Sequence, residues 1–198
     1  MEPPSSAPAT IEPGHMLNGE PRGLFGAVQV DLVGGHTVDT RTWLFLPGWR
    51  LSRVYPYGGS FEGWRCSGDT CGGFAIEAGT LDLRWDDGRV DSLAYEHRAA
   101  GIVLDGTLFR PARPMSVAAL AGRWIDASGN VYAFDLTGGF TFGLGDLPGL
   151  GGAFGVEGLA LVLTFSDGDV SRRTLFVTGE GDPAGMISVD GEVFVSIE

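Results

Sequence analysis

The sequence predicts an all-β protein made of two tandem antiparallel up-and-down β-barrels. Three observations carry that expectation: an internal repeat at an offset of eighty residues, Asp-Gly turn dipeptides at matched places in both copies, and the lack of any stretch with a sustained helical period.

Displaced by eighty residues, segment 72–90 falls on segment 152–170. The identities are Gly72/Gly152, Phe74/Phe154, Glu77/Glu157, Leu81/Leu161, Leu83/Leu163, Asp87/Asp167, Gly88/Gly168 and Val90/Val170. After a small insertion the register resumes, with Ile102, Asp105, Gly106 and Phe109 answering to Ile187, Asp190, Gly191 and Phe194. Upstream, Trp43 and Phe45 stand where Tyr132 and Phe134 do. Alternating leucines and Asp-Gly turns occur in any β-protein, but paired turns together with a paired Glu and Phe make duplication the better account.

Each repeat reads as a chain of hairpins. In TLDLRWDDG, Leu81, Leu83 and Trp85 share one face of a strand, while Thr80, Asp82, Arg84 and Asp86 share the other, the mark of a half-buried strand. Asp87-Gly88 is then expected to supply the positive φ angles of a type I′ turn, and RVDSLAY to return antiparallel. Asp105-Gly106, Asp167-Gly168 and Asp190-Gly191 carry the same expectation. The second repeat divides in order into LAGRWI, NVYAFDL, GFTFG, GAFGVE, LALVLTF, VSRRTLFV, AGMISV and EVFVSI. Hairpins with one apolar face must close or pair to lose their edges, and closure of each repeat on itself is the simplest solution. The alternative is one composite barrel, half from each repeat. Residues 1–20 are expected to be a disordered leader, 21–113 the first barrel and 117–198 the second, with the proline-rich RPARPMS between them.

Composition narrows function more than it defines it. The 198 residues are 43% hydrophobic with mean hydropathy +0.11, enough for a packed core, and 33 glycines and 11 prolines fall between the apolar segments. A formal charge of −12 opposes phosphate backbones and anionic lipid, so neither nucleic acid nor a membrane is expected as partner. All thirteen basic residues are arginine, which removes Schiff-base chemistry and a P-loop lysine. No apolar run approaches the ~20 residues that span a bilayer. MEPPSSAPATIEPGH lacks the basic and apolar regions of a signal peptide, which reads as cytoplasmic, or as extracytoplasmic if the leader is a processed N-terminus.

A resemblance enters at LAGRW. Its Gly122 and Trp124, followed by YAF, a glycine turn, GAFGVEG, a strand and Asp-Gly, are similar to the Gly-x-Trp opening of lipocalin-like barrels, and the chain resembles tandem compact bacterial lipocalin-like domains of unknown function. The first repeat carries GLFG at that place. The resemblance implies binding of a small apolar ligand, occasionally isomerase or cyclase chemistry in a barrel mouth, and an arginine of the pair Arg172-Arg173 stacked on Trp124.

No nucleophile elbow and no His-Glu-x-x-His run is present, so no catalytic residue is assigned. No cofactor is expected, and no metal, because His15, His36 and His97 are scattered. Cys66 and Cys71 are either a disulfide pinching a loop or two quiet thiols. GLGDLPGLGG lacks the spacing of a phosphate loop and reads as a mobile connection. Glu77 and Glu157 read as turn-closing hydrogen-bond acceptors. Tryptophan, tyrosine and arginine side chains concentrate in the first repeat. Trp49, Arg50, Arg53, Tyr55, Tyr57 and Trp64 are therefore the expected ligand-binding set, since such residues bury area at low entropy cost while keeping a polar handle. The expectation is a non-enzymatic module that binds a small apolar, aromatic or anionic ligand, or a protein partner, through the first repeat. Two alternatives are kept: a cofactor-free isomerase or cyclase using His97 or Glu96, and a structural or interaction domain of a larger assembly.

Overall fold

A computed structural model describes residues 10–31, 37–61, 64–66, 68–147, 149–177 and 185–197, with backbone alone for 29–31 and 37–39. The first repeat runs through β1 (His15–Leu17), β2 (Glu20–Asp31), β3 (Thr37–Leu46), β4 (Arg50–Ser52), β5 (Cys71–Glu77), β6 (Thr80–Trp85), β7 (Val90–Arg98), β8 (Gly101–Leu104) and β9 (Thr107–Pro111). Each strand pairs with the next, and β2 closes onto β9 through Phe25↔Pro111 and Gly26↔Arg110. β1 is an extra strand on the outer edge of β2.

The second repeat opens with α1 (Val117–Leu120) and continues through β10 (Gly122–Ile125), β11 (Asn130–Phe134), β12 (Gly139–Leu144), β13 (Leu150–Glu157), β14 (Ala160–Phe165), β15 (Val170–Phe176), β16 (Met186–Val189) and β17 (Glu192–Ser196). β10 closes it onto β17 through Trp124↔Ser196 and Ile125↔Val195. Two antiparallel barrels of eight strands stand in tandem, one per repeat, and the composite alternative is not what forms. The single turn of α-helix was unexpected. Ser116 caps it by accepting from the Ala119 N–H, and Leu120 points into the second core.

The duplication is visible bond by bond. Phe74↔Leu83 and Ile76↔Leu81 in the first barrel recur as Phe154↔Leu163 and Val156↔Leu161 in the second. Ile102↔Phe109 recurs as Ile187↔Phe194. Even the side-chain bracket at the last hairpin repeats: Asp105 accepts the Ala94 N–H at 2.8 Å, and Asp190 accepts the Thr174 N–H at 2.7 Å. The shared glycines have a steric cause, because a Cβ on Gly72 would fall on the Arg84 carbonyl oxygen, and one on Gly152 on that of Thr164.

The four Asp-Gly dipeptides do not make one kind of turn. At Asp105-Gly106 (φ +46 and +81) and Asp190-Gly191 (φ +50 and +93) both residues are left-handed, as a type I′ hairpin requires. At Asp87-Gly88 and Asp167-Gly168 only the glycines are, at φ +91 and +94. Gly88 donates to the Trp85 carbonyl and Trp85 to that of Arg89, so the loop is a tight turn with a glycine bulge. Asp87 and Asp167 hold their turns through side chains that accept the N–H of Arg89 and Asp169.

An apolar layer joins the barrels. Tyr55 and Phe176 meet edge to face with centroids 5.7 Å apart, flanked by Leu24, Leu44 and Leu159. Gly59 lies so close to Ala160 that a Cβ would stand 2.9 Å from the alanine methyl, and its φ of +70 suits glycine alone. The Gly59 N–H donates to Thr174 Oγ1, which in turn donates to the Pro56 carbonyl. In the joint, Arg113 and Val177 exchange two backbone hydrogen bonds of 3.1 Å.

Candidate functional site

The two interiors differ. The second barrel is filled: Trp124, Tyr132, Phe134, Phe140, Phe154 and Phe194 interlock with Leu120, Leu161, Leu163 and Ile187. Tyr132 alone has Phe134, Phe142 and Phe194 rings within 5.4 Å. The first barrel also has an aromatic core, with Phe25, Trp43, Phe45, Phe74, Trp85 and Phe109 packed around Leu81, Leu83 and Ile102, but one end stays open as a cavity of about 530 Å³. That volume lies within the range of small-molecule sites.

Three elements build the mouth. The β2–β3 hairpin runs past the barrel rim, with β2 and β3 of 12 and 10 residues against 4 and 5 for β10 and β11, and it contributes Thr40, Arg41, Thr42 and Trp43. The facing wall is Leu93 of β7, Leu104 of β8, Asp105 of the following turn, and Thr107 and Phe109 of β9. The segment after β4 supplies Arg53.

Arg53 is held on several sides. Its N–H donates to the Thr70 carbonyl at 2.8 Å, and its own carbonyl accepts from Thr42 Oγ1 at 3.1 Å. Its guanidinium carbon lies 4.4 Å from the centroid of Trp85 and 5.1 Å from that of Trp43. Asp91 stands 3.9 Å away, but this carboxylate already accepts the Trp85 indole N–H at 2.7 Å and has Arg89 at 3.5 Å. Burial of the Arg53 guanidinium holds its pKa below the ordinary arginine value, against the opposing pull of Asp91. Thr40 Oγ1 is buried without a hydrogen-bond partner among the described residues.

Arginine stacked on tryptophan was expected in the second barrel, on Trp124; it occurs in the first. Arg172 and Arg173 pair with Glu157 and Asp190, and the Trp124 indole donates to the Leu120 carbonyl at 2.8 Å, pinning α1 across the barrel. Glu157 thus accepts from β15, across the intervening β14, instead of closing its own turn. At the position of Arg172 the first barrel has Ser92, which bonds Asp82.

The six residues expected to form one site are scattered by the structure. Arg53 alone lines the mouth. Arg50 is bound on both its terminal nitrogens by Asp86, at 2.7 and 2.6 Å, which raises its pKa and lowers that of the carboxylate. Trp49, at φ +62 and 45% exposed, leans on Phe74 at the β3–β4 turn. Tyr55 is buried between the barrels, where desolvation pushes its pKa far upward, and it does not line the mouth. Its neighbour Tyr57 is 74% exposed. Trp64 pairs with Phe61 beside a separate apolar hollow of about 320 Å³ that also touches Leu46 and Pro47.

Cys66 and Cys71 form a disulfide. It closes the segment whose Thr70 carbonyl fixes Arg53 and whose Asp69 carbonyl accepts from Arg89. Glu96 and His97 are exposed on β7, and Glu96 is held by Arg98, so neither lines the mouth. His36 lies outside the described residues. The glycine-rich GLGDLPGLGG spans β12, its connection and the start of β13, with Asp146 paired to Arg123 at 2.6 Å.

Comparison with known protein families, curated proteins and solved structures finds no match. The mouth therefore has to be interpreted from its own chemistry. Four of its residues, Trp43, Leu93, Leu104 and Phe109, offer apolar or aromatic surface, while Arg41, Arg53, Thr40 and Thr107 offer donors at its edges. Trp43 and Arg41 belong to the arginine-rich first repeat but fall outside the six residues expected to bind. The usable signal was the arginine in strand alternation with Trp43 and Phe45, on a hairpin longer than its counterpart.

Proposed function

We propose that the chain is a non-enzymatic binding module of lipocalin-like character, whose first barrel takes a small apolar or aromatic ligand in its open mouth while the second serves as scaffold. The observation that carries this reading is the cavity of about 530 Å³ over Trp43 and Phe109 at the open end of the first barrel, against hollows of about 250 Å³ at the second. An open end of that size, lined by Trp43, Leu93, Leu104 and Phe109 together with six polar or charged side chains, falls in the volume range of small-molecule sites.

The test is a fluorescence titration with the uncharged dye Nile red. The native chain is expected to bind with a blue-shifted emission. Thr107→Trp, which fills the mouth, is expected to abolish the signal, and Thr141→Trp, in the second barrel's smaller hollow of about 250 Å³, to leave it unchanged. Undiminished binding by Thr107→Trp would overturn the assignment.

A further inference from the structure

We infer that the ligand of the first barrel's mouth is an organic anion, a carboxylate or sulfonate on a flat aromatic frame, with Arg53 and Arg41 as its charge-reading residues. The inference rests on the small-molecule reading above and adds charge and shape to it.

It starts from an inventory of arginine partners. Arg22, Arg50, Arg98, Arg123, Arg172 and Arg173 each have a carboxylate oxygen within 3.1 Å. The two arginines of the mouth do not. Among the described residues the Arg53 guanidinium donates no hydrogen bond, and its ion pair with Asp91 is stretched to 3.9 Å by the other claims on that carboxylate. Arg41, on β3 next to the Thr42 that bonds the Arg53 carbonyl, likewise has no hydrogen-bond or ion-pair partner among the described residues. A guanidinium lying over two indole faces keeps its N–H donors in its own plane, at its edge, where a carboxylate can take two of them at once.

Among the described residues that line the mouth, the one acid is Asp105. Asp105 accepts the Ala94 N–H, and Asp190 does the same for Thr174 in the second barrel, so Asp105 is turn scaffolding inherited by both copies. Arg53 belongs to the first barrel only, and the cost of holding it partly desolvated is offset once an anion enters. Next to the charges, Trp43 and Phe109 meet at 82° with centroids 6.4 Å apart, an aromatic pair that lines the same opening.

The probes are 2-naphthoate and its uncharged isostere 2-naphthamide, measured by isothermal titration calorimetry against the intact chain. Charge-assisted hydrogen bonds predict that the carboxylate binds at least about tenfold tighter than the amide. Arg53→Met is expected to bring the ratio close to one, and the exposed Arg41→Gln to shrink it while leaving the thermal midpoint of the protein in place. Equal affinities in the native chain, or an undiminished ratio in both variants, would overturn the inference. Should Nile red bind while naphthoate does not, the anion is refuted and the cavity reading stands; should Thr107→Trp leave Nile red binding intact, the cavity reading itself fails. If Arg53→Met does not fold, Arg41→Gln alone decides: a ratio unchanged from the native chain counts against the proposal, and a reduced one supports it.

Discussion

Phe176→Ala tests whether the two barrels are one cooperative unit. The Phe176 ring is fully buried yet belongs to the layer between the barrels, where it meets Tyr55, and not to either interior. Truncating a buried phenylalanine costs about 3–5 kcal/mol, more where the walls cannot collapse into the space. Here they cannot easily do so, because Thr174 is tied to Pro56 and Gly59, and Val177 to Arg113. The upper part of that range is therefore expected, and at about 2–4 °C per kcal/mol for a chain of this size the melting temperature should fall by roughly 10–20 °C. Differential scanning calorimetry should show one transition for the native chain and, for the variant, a lowered transition that separates into two as the barrels lose their coupling. The exposed Val54→Ala serves as the control, expected within about 0.5 kcal/mol of native. A drop under about 2 °C with a single transition retained would refute the idea that this layer couples the barrels.

Four further outcomes can be checked. Gly72→Ala and Gly152→Ala should destabilise by similar amounts, about 1–3 kcal/mol each in urea unfolding, because each added Cβ meets the carbonyl of the facing strand. Cys66→Ser should cost about 2 kcal/mol for so short a closed loop and make stability insensitive to dithiothreitol, which lowers the native midpoint. Stability should fall as pH rises above 10: burial raises the pKa values of Tyr55, Tyr95 and Tyr132, so between the ordinary and the raised values the unfolded chain sheds phenolic protons that the folded one keeps, and Tyr55→Phe should flatten that decline. Trp49→Ala and Tyr57→Ala should bind Nile red like the native chain, since neither residue lines the mouth; a loss of binding in either would move the site.

What was legible in the sequence was whatever strand alternation governs. Leu81, Leu83 and Trp85 point inward as their period of two requires, and their copies Leu161, Leu163 and Phe165 follow because register is inherited with the hairpin. The loop between β4 and β5 has no period, so nothing in RLSRVYPYGG said that Arg53 turns toward the mouth while Tyr55 turns to the other barrel. Turn type was misread at Asp87 for a related reason. The dipeptide is the same as at Asp105, but the flanking pair, Trp85 opposite Arg89, leaves three residues in the loop and not two, and only the glycine then needs a left-handed backbone.

The aromatic asymmetry between the repeats has a structural origin in two local lengthenings of a shared scaffold. Where the second barrel connects β12 to β13 by the short turn around Asp146, the first has the long segment from Arg53 to Thr70, which carries Tyr55, Tyr57, Phe61, Trp64 and the disulfide. Where β10 and β11 stop at the rim, β2 and β3 continue past it. The longer hairpin lifts one wall of the first barrel, and the longer loop is drawn outward to cover Phe176 and inward at Arg53. One insertion thus does two jobs, docking the barrels through Tyr55 and placing a cation at the opening. Hence a change at the interface should be felt at the mouth. Phe176→Ala, which frees the Tyr55 side of the loop, is expected to weaken naphthoate binding several-fold although Phe176 touches no part of the cavity, and unchanged affinity would mean that Thr70 and Thr42 alone suffice to hold Arg53.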